Sequence, residues 1–190
     1  GLFQPFAEAA YEPRIHDRRQ DRNGLKRDSQ GLRLSLGVTI NDDPVWTGDV
    51  AATLALRDYS DKSLDTVLAP GFAANLTWRP TDLTQFEFNA GASLSETVAA
   101  DVSAQQNWTL GATARHALRD NVSLRAGASM LFERAGGETD ITSVGSVGVD
   151  WTLNPFVVLS AGYEGTFFTG AGSGDDYADH RLLTSIILRR

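Results

Sequence analysis

The sequence predicts an all-β protein whose strands, about ten of them, follow one another antiparallel and up-and-down. Three observations lead there. Leu32 to Ile40 alternates apolar with small or polar residues without a break, the period-two signature of a strand with two unlike faces. Segments of similar length repeat this alternation along almost the whole chain. No run of about 18 apolar residues interrupts them, so a membrane-spanning helix is excluded.

Taken in order, the first strand runs from Phe3 to His16, with Phe3, Pro5, Ala7, Ala9, Tyr11 and Ile15 on one face and Gln4, Glu8, Glu12, Arg14 and His16 on the other. Its two prolines weaken it. The charged segment Asp17 to Asp28, around Asn23-Gly24, reads as a long solvated loop. The second strand is the Leu32 stretch, closed by the turn-forming Asn41-Asp42-Asp43-Pro44. The third sets Trp46, Val50, Leu54 and Leu56 against Thr47, Asp49, Thr53 and Arg57, and the polar link Asp58 to Thr66 follows. In the fourth, Phe72, Ala74, Leu76 and Trp78 oppose Ala73, Asn75, Thr77 and Arg79, before a turn at Arg79-Pro80-Thr81-Asp82. The fifth has Phe86, Phe88, Ala90 and Leu94 against Glu87, Asn89 and Ser93, and Glu96 to Asn107 is a long polar connection.

The sixth strand sets Trp108, Leu110, Ala112 and Ala114 against Thr109, Gly111, Thr113 and Arg115, and it turns at Arg119-Asp120-Asn121. The seventh carries Val122, Leu124, Ala126, Met130 and Phe132 opposite Ser123, Arg125, Ser129 and Glu133. The Gly-rich acidic stretch Arg134 to Thr142 reads as a loop. In the eighth strand Val147, Val149, Trp151 and Leu153 oppose Ser146, Gly148, Asp150 and Thr152, and Asn154-Pro155 makes the tightest turn. The ninth has Val157, Leu159, Ala161 and Tyr163 against Ser160, Gly162 and Glu164. Thr169 to Asp179 is the last loop, and a tenth strand covers about Arg181 to Arg190, with Leu182, Ile186 and Leu188 as its apolar face.

Two regularities extend over the strands. Short turns near residues 43, 80, 120 and 154 alternate strictly with long polar connections, which places all short turns at one rim and all long loops at the other, as in outer-membrane barrels. The polar face is also unlike that of a soluble sandwich, where it would be rich in Lys and Glu and face water. It consists of Gly, Ser, Thr and Asn with isolated charges of both signs, and the strands contain no lysine. Such a face suits a hydrated interior, lined by Arg33, Arg57, Asn75, Glu87, Asn89, Arg115, Arg125, Asp150 and Glu164. Trp46, Trp78, Trp151 and Phe156 sit beside the short turns, and Tyr59, Trp108 and Phe132 near the long loops. Two aromatic belts of that kind mark the interfaces of a bilayer. The expected fold class is therefore an antiparallel up-and-down transmembrane β-barrel, whole or in part.

Composition narrows the function further. The chain has 190 residues, enough for one domain or one barrel. A net charge of −7 leaves no basic face, so nucleic acid is not expected as a partner. There are no cysteines, which removes disulfides, thiolate metal sites and a thiol nucleophile and suits folding in an oxidising compartment. Eighteen glycines against six prolines fit the turns and close approaches of an all-β chain. The start carries no signal peptide and Gly1 is not an initiator, so a mature, trimmed or partial chain is expected.

Arg57-Asp58-Tyr59 at a strand end, Leu76-Thr77-Trp78-Arg79-Pro80-Thr81 with Leu83-Thr84, Glu96-Thr97, and Asp179 to Arg190 give the chain a family likeness. It resembles the alphaproteobacterial outer-membrane proteins of the beta-barrel porin type 2 family over most of its length. Those proteins are longer, so the resemblance implies a C-terminal portion of a larger barrel. Arg190 stands where many outer-membrane barrels end in an aromatic residue.

No catalytic or metal constellation appears. His16, His116 and His180 lack zinc-ligand spacing, and His116 falls on the apolar face as an interfacial imidazole. Ser60, Ser63, Ser173 and His180 have no hydrolase spacing, and Gly170 to Gly174 has no strand-to-helix context for phosphate. Asp101, Glu138, Asp140, Asp175, Asp176 and Asp179 lack a calcium-loop pattern and read as solvated loops. The expectation is a non-enzyme without cofactor or metal, both termini toward the periplasm, in contact with outer-membrane lipid and lipopolysaccharide; Arg18 to Arg27 reads equally as a lipopolysaccharide phosphate contact or as a plain charged loop tip. It would be a porin-like or export channel for a polar solute. The alternative is a non-conducting structural or adhesion barrel whose long loops bind polysaccharide or other envelope proteins. A ten-strand barrel is narrow and largely filled by its side chains, so strand number decides between the two.

Overall fold

The computed structural model describes residues 2–15, 28–41, 43–62, 66–95, 105–135, 137–171 and 176–188, with Leu94 and Ser95 described by backbone alone. They form ten strands: β1 (Phe3–Arg14), β2 (Ser29–Ile40), β3 (Trp46–Tyr59), β4 (Val67–Thr81), β5 (Thr84–Ser95), β6 (Gln105–Arg119), β7 (Val122–Ala135), β8 (Glu138–Asn154), β9 (Val157–Thr169) and β10 (Tyr177–Leu188). All ten lie in one sheet in chain order, each antiparallel to the next. β1 and β10 are the two edges of that sheet, which is open among the described residues.

Residues that meet across an antiparallel pair point to the same side. The register therefore tests the expected faces directly. Ala9 meets Leu34, Leu34 meets Leu54, and Leu54 meets Pro70. Further along, Leu110 meets Met130, Val149 meets Ala161, and Leu159 meets Ile186. One apolar ladder thus crosses every strand without changing side, and the face assigned to the last strand holds. Register irregularities occur only beside short turns, at Trp78/Thr81, Ala117/Arg119 and Thr152/Asn154.

Several expected boundaries change, and β6 starts at Gln105, inside the expected connection Glu96 to Asn107. β4 starts at Val67, so Val67 to Gly71 extend it. β8 starts at Glu138, because Thr139-Asp140-Ile141-Thr142 continues the alternation with good strand formers and Ile141 pairs with Phe132 on the apolar side. The expected loop Arg134 to Thr142 thus shrinks to a turn between Ala135 and Glu138, where Gly137 takes a φ of 91°. Strict alternation of short and long connections fails at this one place, although the four expected short turns do share a rim. The tenth strand covers Tyr177–Leu188, while Arg190 lies outside the described residues, as do His16 and Glu96-Thr97.

The prolines of β1 do not break it, and the hydrogen-bond phase says why. The Asn41 N–H donates to the Leu2 carbonyl at 3.1 Å, so even-numbered residues of β1 bond to β2 and odd-numbered ones face the free edge. Pro5 and Pro13 are odd. Their missing N–H groups fall where no β2 carbonyl waits, the placement that edge strands tolerate.

Gly48 shows the opposite kind of constraint. Its φ is 139°, a conformation open to glycine and strained for other residues, and a Cβ there would run into the Asn75 carbonyl oxygen. Gly48→Ala is expected to lower unfolding stability by about 1–3 kcal/mol, read as a reduced urea midpoint. Gly145→Ala, where a Cβ meets nothing within 4 Å, should stay within about 0.5 kcal/mol of the parent.

Candidate functional site: the polar face of the sheet

All nine residues expected to line an interior share one face. Asp49, Asn75, Asn89, Gly111 and Ser129 form one transverse row. Thr77, Glu87, Thr113, Gly127, Ser146, Glu164 and Arg181 form the next row. Arg115 stands directly opposite Arg125, and Arg33, Arg57 and Asp150 carry the same parity.

Burial identifies this face as the enclosed one. Seven of the eight buried described residues, Ser29, Gly31, Ala51, Arg57, Tyr59, Ala69 and Val158, belong to it, and Gly165, which has no side chain, is the exception. The exposed large apolar side chains of the strands lie on the other face, from Phe3 and Tyr11 on β1 to Leu182 and Ile186 on β10; Tyr177, Leu183 and Ile187 of β10 are the exceptions. Leu110, at the middle of the sheet, is 47% exposed, and no large side chain is fully buried among the described residues. This is the reverse of a water-soluble sandwich, whose apolar faces meet in a core.

The charges gather into networks near the two rims. Toward the long loops, Glu12 takes Arg33 at 2.8 Å and Arg57 at 3.3 Å, and Arg57 also donates to the Ser29 hydroxyl at 3.3 Å. Arg57 is only 7% exposed, so its charge depends on these partners. Toward the short turns, Asp150 accepts from Arg125 Nε at 2.7 Å and Nη2 at 3.0 Å, and from the Ser160 hydroxyl at 2.6 Å. Arg115 reaches Asp150 only at 3.5 Å. Glu164 and Arg181 lie 3.9 Å apart, and Arg181 pairs with Asp179 at 2.7 Å.

Sequence reasoning placed Glu12 on the polar face but could not see it as the hub of three strands, and it did not single out Ser29, Ser160 or Arg181. Each acts through a partner fixed by register, which no local pattern displays. Asn75 and Asn89 do meet, and Asn89 fills the space above Gly111, where a Cβ would clash with its side chain.

The aromatics follow their expected positions with one correction. Trp46 stacks on Trp78 with ring centroids 5.6 Å apart, and Trp78 on Phe86 at 5.1 Å, beside the short turns. Trp151 and Phe156 are exposed at the same rim, and Trp108 pairs with Phe132 toward the long loops. Tyr59 leaves the belt: it is 6% exposed and faces Ser29 on the polar side. The odd parity it shares with Arg57 sets that orientation.

His116 stands on the apolar face, its Nδ1 hydrogen-bonded with the Thr84 hydroxyl at 2.9 Å. His180 Nδ1 is bonded with the Tyr163 hydroxyl at 2.6 Å. Ser60 follows β3 and His180 lies on β10, strands that are not neighbours in the sheet order, and Ser63 and Ser173 lie outside the described residues. No cluster of three or more His, Asp or Glu able to hold a metal occurs among the described residues; Asp101, Asp175 and the basic segment Arg18 to Arg27 lie outside them.

The unequal exposure of the two Glu12 partners sets an expected difference. Arg57→Ala should cost about 2 kcal/mol, because it strips a buried network. Arg33→Ala, at the wet side of the same carboxylate, should cost less than about 1 kcal/mol. Urea titration of both variants against the parent measures this, and equal losses would refute the assignment.

No curated protein matches the chain. The family described as Putative beta-barrel porin 2 matches residues 2–190. With ten up-and-down strands, one apolar ladder and an enclosed polar face in agreement, the chain belongs to that family.

Proposed function

We propose that the chain works in the bacterial outer membrane as a porin-like or export channel whose polar face lines the path of a polar solute and whose apolar face meets lipid. The observation that carries this reading is the inversion of burial: the apolar ladder is exposed across ten strands, while the enclosed face holds the charges. In water such a surface would drive aggregation; in a bilayer it is the side that needs no polar partner. The stacked Trp46, Trp78 and Phe86 and the exposed Trp151 and Phe156 match an interfacial belt. Outer-membrane lipid and lipopolysaccharide are the proposed partners.

The direct test is ion conductance of the refolded protein in a planar bilayer: discrete current steps are expected, and a correctly folded protein without current would overturn the channel reading. Location is tested by a sign. On a lipid-facing surface Leu110→Arg costs about 2–4 kcal/mol near the midplane, whereas the same change on a water-facing surface stays within about 0.5 kcal/mol. Loss of stability for Leu110→Arg with little change for Ser129→Arg, measured in lipid vesicles, is the expected pair of results.

A further inference from the structure

Along the row Glu87, Thr113, Gly127, Ser146, the glycine leaves a gap in the side chains. A Cβ on Gly127 would meet the Ser146 hydroxyl at 2.9 Å. The gap is the floor of a hollow of about 400 Å³ bounded by Glu87, Thr113, Arg115, Arg125 and Ser146. Its two sides carry opposite and incompletely neutralised charges.

On one side, Arg115 faces Arg125 directly across the strands, a like-charge contact that is unfavourable by itself. Asp150 offsets it unequally. Arg125 takes the carboxylate through two nitrogens at 2.7 and 3.0 Å, and Arg115 has only the 3.5 Å contact. The guanidinium of Arg115, with five donors, keeps most of them for whatever enters the hollow. On the other side, Glu87 accepts from the Gln85 amide at 2.6 Å and the Thr113 hydroxyl at 3.4 Å, with no cation at ion-pair distance among the described residues. Gln85 is in turn held by Arg79 Nε at 3.1 Å. Glu87 is thereby anchored by neutral donors and does not swing to Arg115.

From this we propose that the hollow is a binding subsite for a small zwitterion, its carboxylate on Arg115 and its ammonium on Glu87. The two residues are diagonal neighbours, Glu87 pairing with Thr113 and Gln85 with Arg115. That spacing, about 7–8 Å at the backbone, leaves room for an α-amino acid between the two charged ends. The hydroxyls of Thr113 and Ser146 add neutral donors and acceptors along the floor. Both charges are wet, so each strengthens binding only about threefold to fivefold, which implies weak capture, on the order of tens of millimolar, of a kind a passing solute can leave.

The inference rests on the channel reading, and equilibrium dialysis separates the two. The refolded full chain in detergent is dialysed against radiolabelled L-serine, with acetate and methylammonium as single-charge probes. Saturable serine binding is expected, weakened about threefold to fivefold by Arg115→Gln and by Glu87→Gln, with both single-charge probes binding more weakly than serine. Gly127→Val, which keeps both charges and fills the hollow, should remove binding while the urea midpoint reports folding. Serine binding insensitive to all three variants, or no saturable binding, overturns the subsite. Current without serine binding leaves the channel and removes the subsite; serine binding without current does the reverse.

Discussion

The constraint on which the structure depends is phase. Side chains alternate across a strand with a period of two, so a slip of one residue in any pairing would move a whole strand's apolar set to the other side. Nine successive pairings keep the same phase, and the bulges sit at the strand ends, where they close turns without disturbing the body of the sheet. Everything else follows: the exposed apolar ladder, the small residues and charges opposite it, and the separation of the aromatics toward the two rims.

Because phase is written locally, most of the fold was legible in the sequence. Any window such as Leu32 to Ile40 or Val122 to Phe132 announces its two faces without reference to its neighbours. Legibility failed where the signal is weak or non-local. Thr139 to Thr142 was hidden among glycines and acids, so β8 gained its first turns only through pairing with β7. Tyr59 was sorted by residue type, as an aromatic near a rim, when its odd position already fixed it beside Arg57. The ion networks were illegible for a different reason: Glu12 with Arg57, or Asp150 with Arg125, lie on separate strands, and their meeting depends on the register of every hairpin between them.

The two charge networks also differ in kind. Glu12 holds a buried arginine and ties β1 to β3 across β2, so its role is mechanical. Asp150 divides itself unequally between two exposed, facing arginines, which leaves residual positive charge toward the Gly127 hollow. The row Gly37, Ala51, Ala73, Gly91 and Thr109 lies between the two. Large side chains there would fill the interior, and charges there would need partners the opposite face does not supply. Among the described strand residues, exposed large apolar side chains occur on the polar face on β10 alone, as Tyr177, Leu183 and Ile187, beside Phe168, Gly162 and Val158.

Backbone hydrogen bonds carry a second phase, and combining the two limits what can lie beside the edges. The end bonds Asn41 to Leu2, Arg79 to Val45, Ala117 to Leu83 and Thr152 to Asn121 all join polar-face residues, whereas Ser60 to Asp28 joins residues of the opposite parity. Polar-face pairs therefore exchange bonds between β1 and β2, β3 and β4, β5 and β6, and β7 and β8, and apolar-face pairs between β2 and β3. Carried through to β10, the alternation leaves the outward residues of both edges with free donors and acceptors: Ala7, Ala9 and Tyr11 on β1, and Leu182, Thr184 and Ile186 on β10. In lipid those groups need partners. Only a strand whose outward residues also bond sideways can supply them, so the seam between β10 and β1 accepts an even number of intervening strands, zero included, and an odd number would force one pairing out of phase.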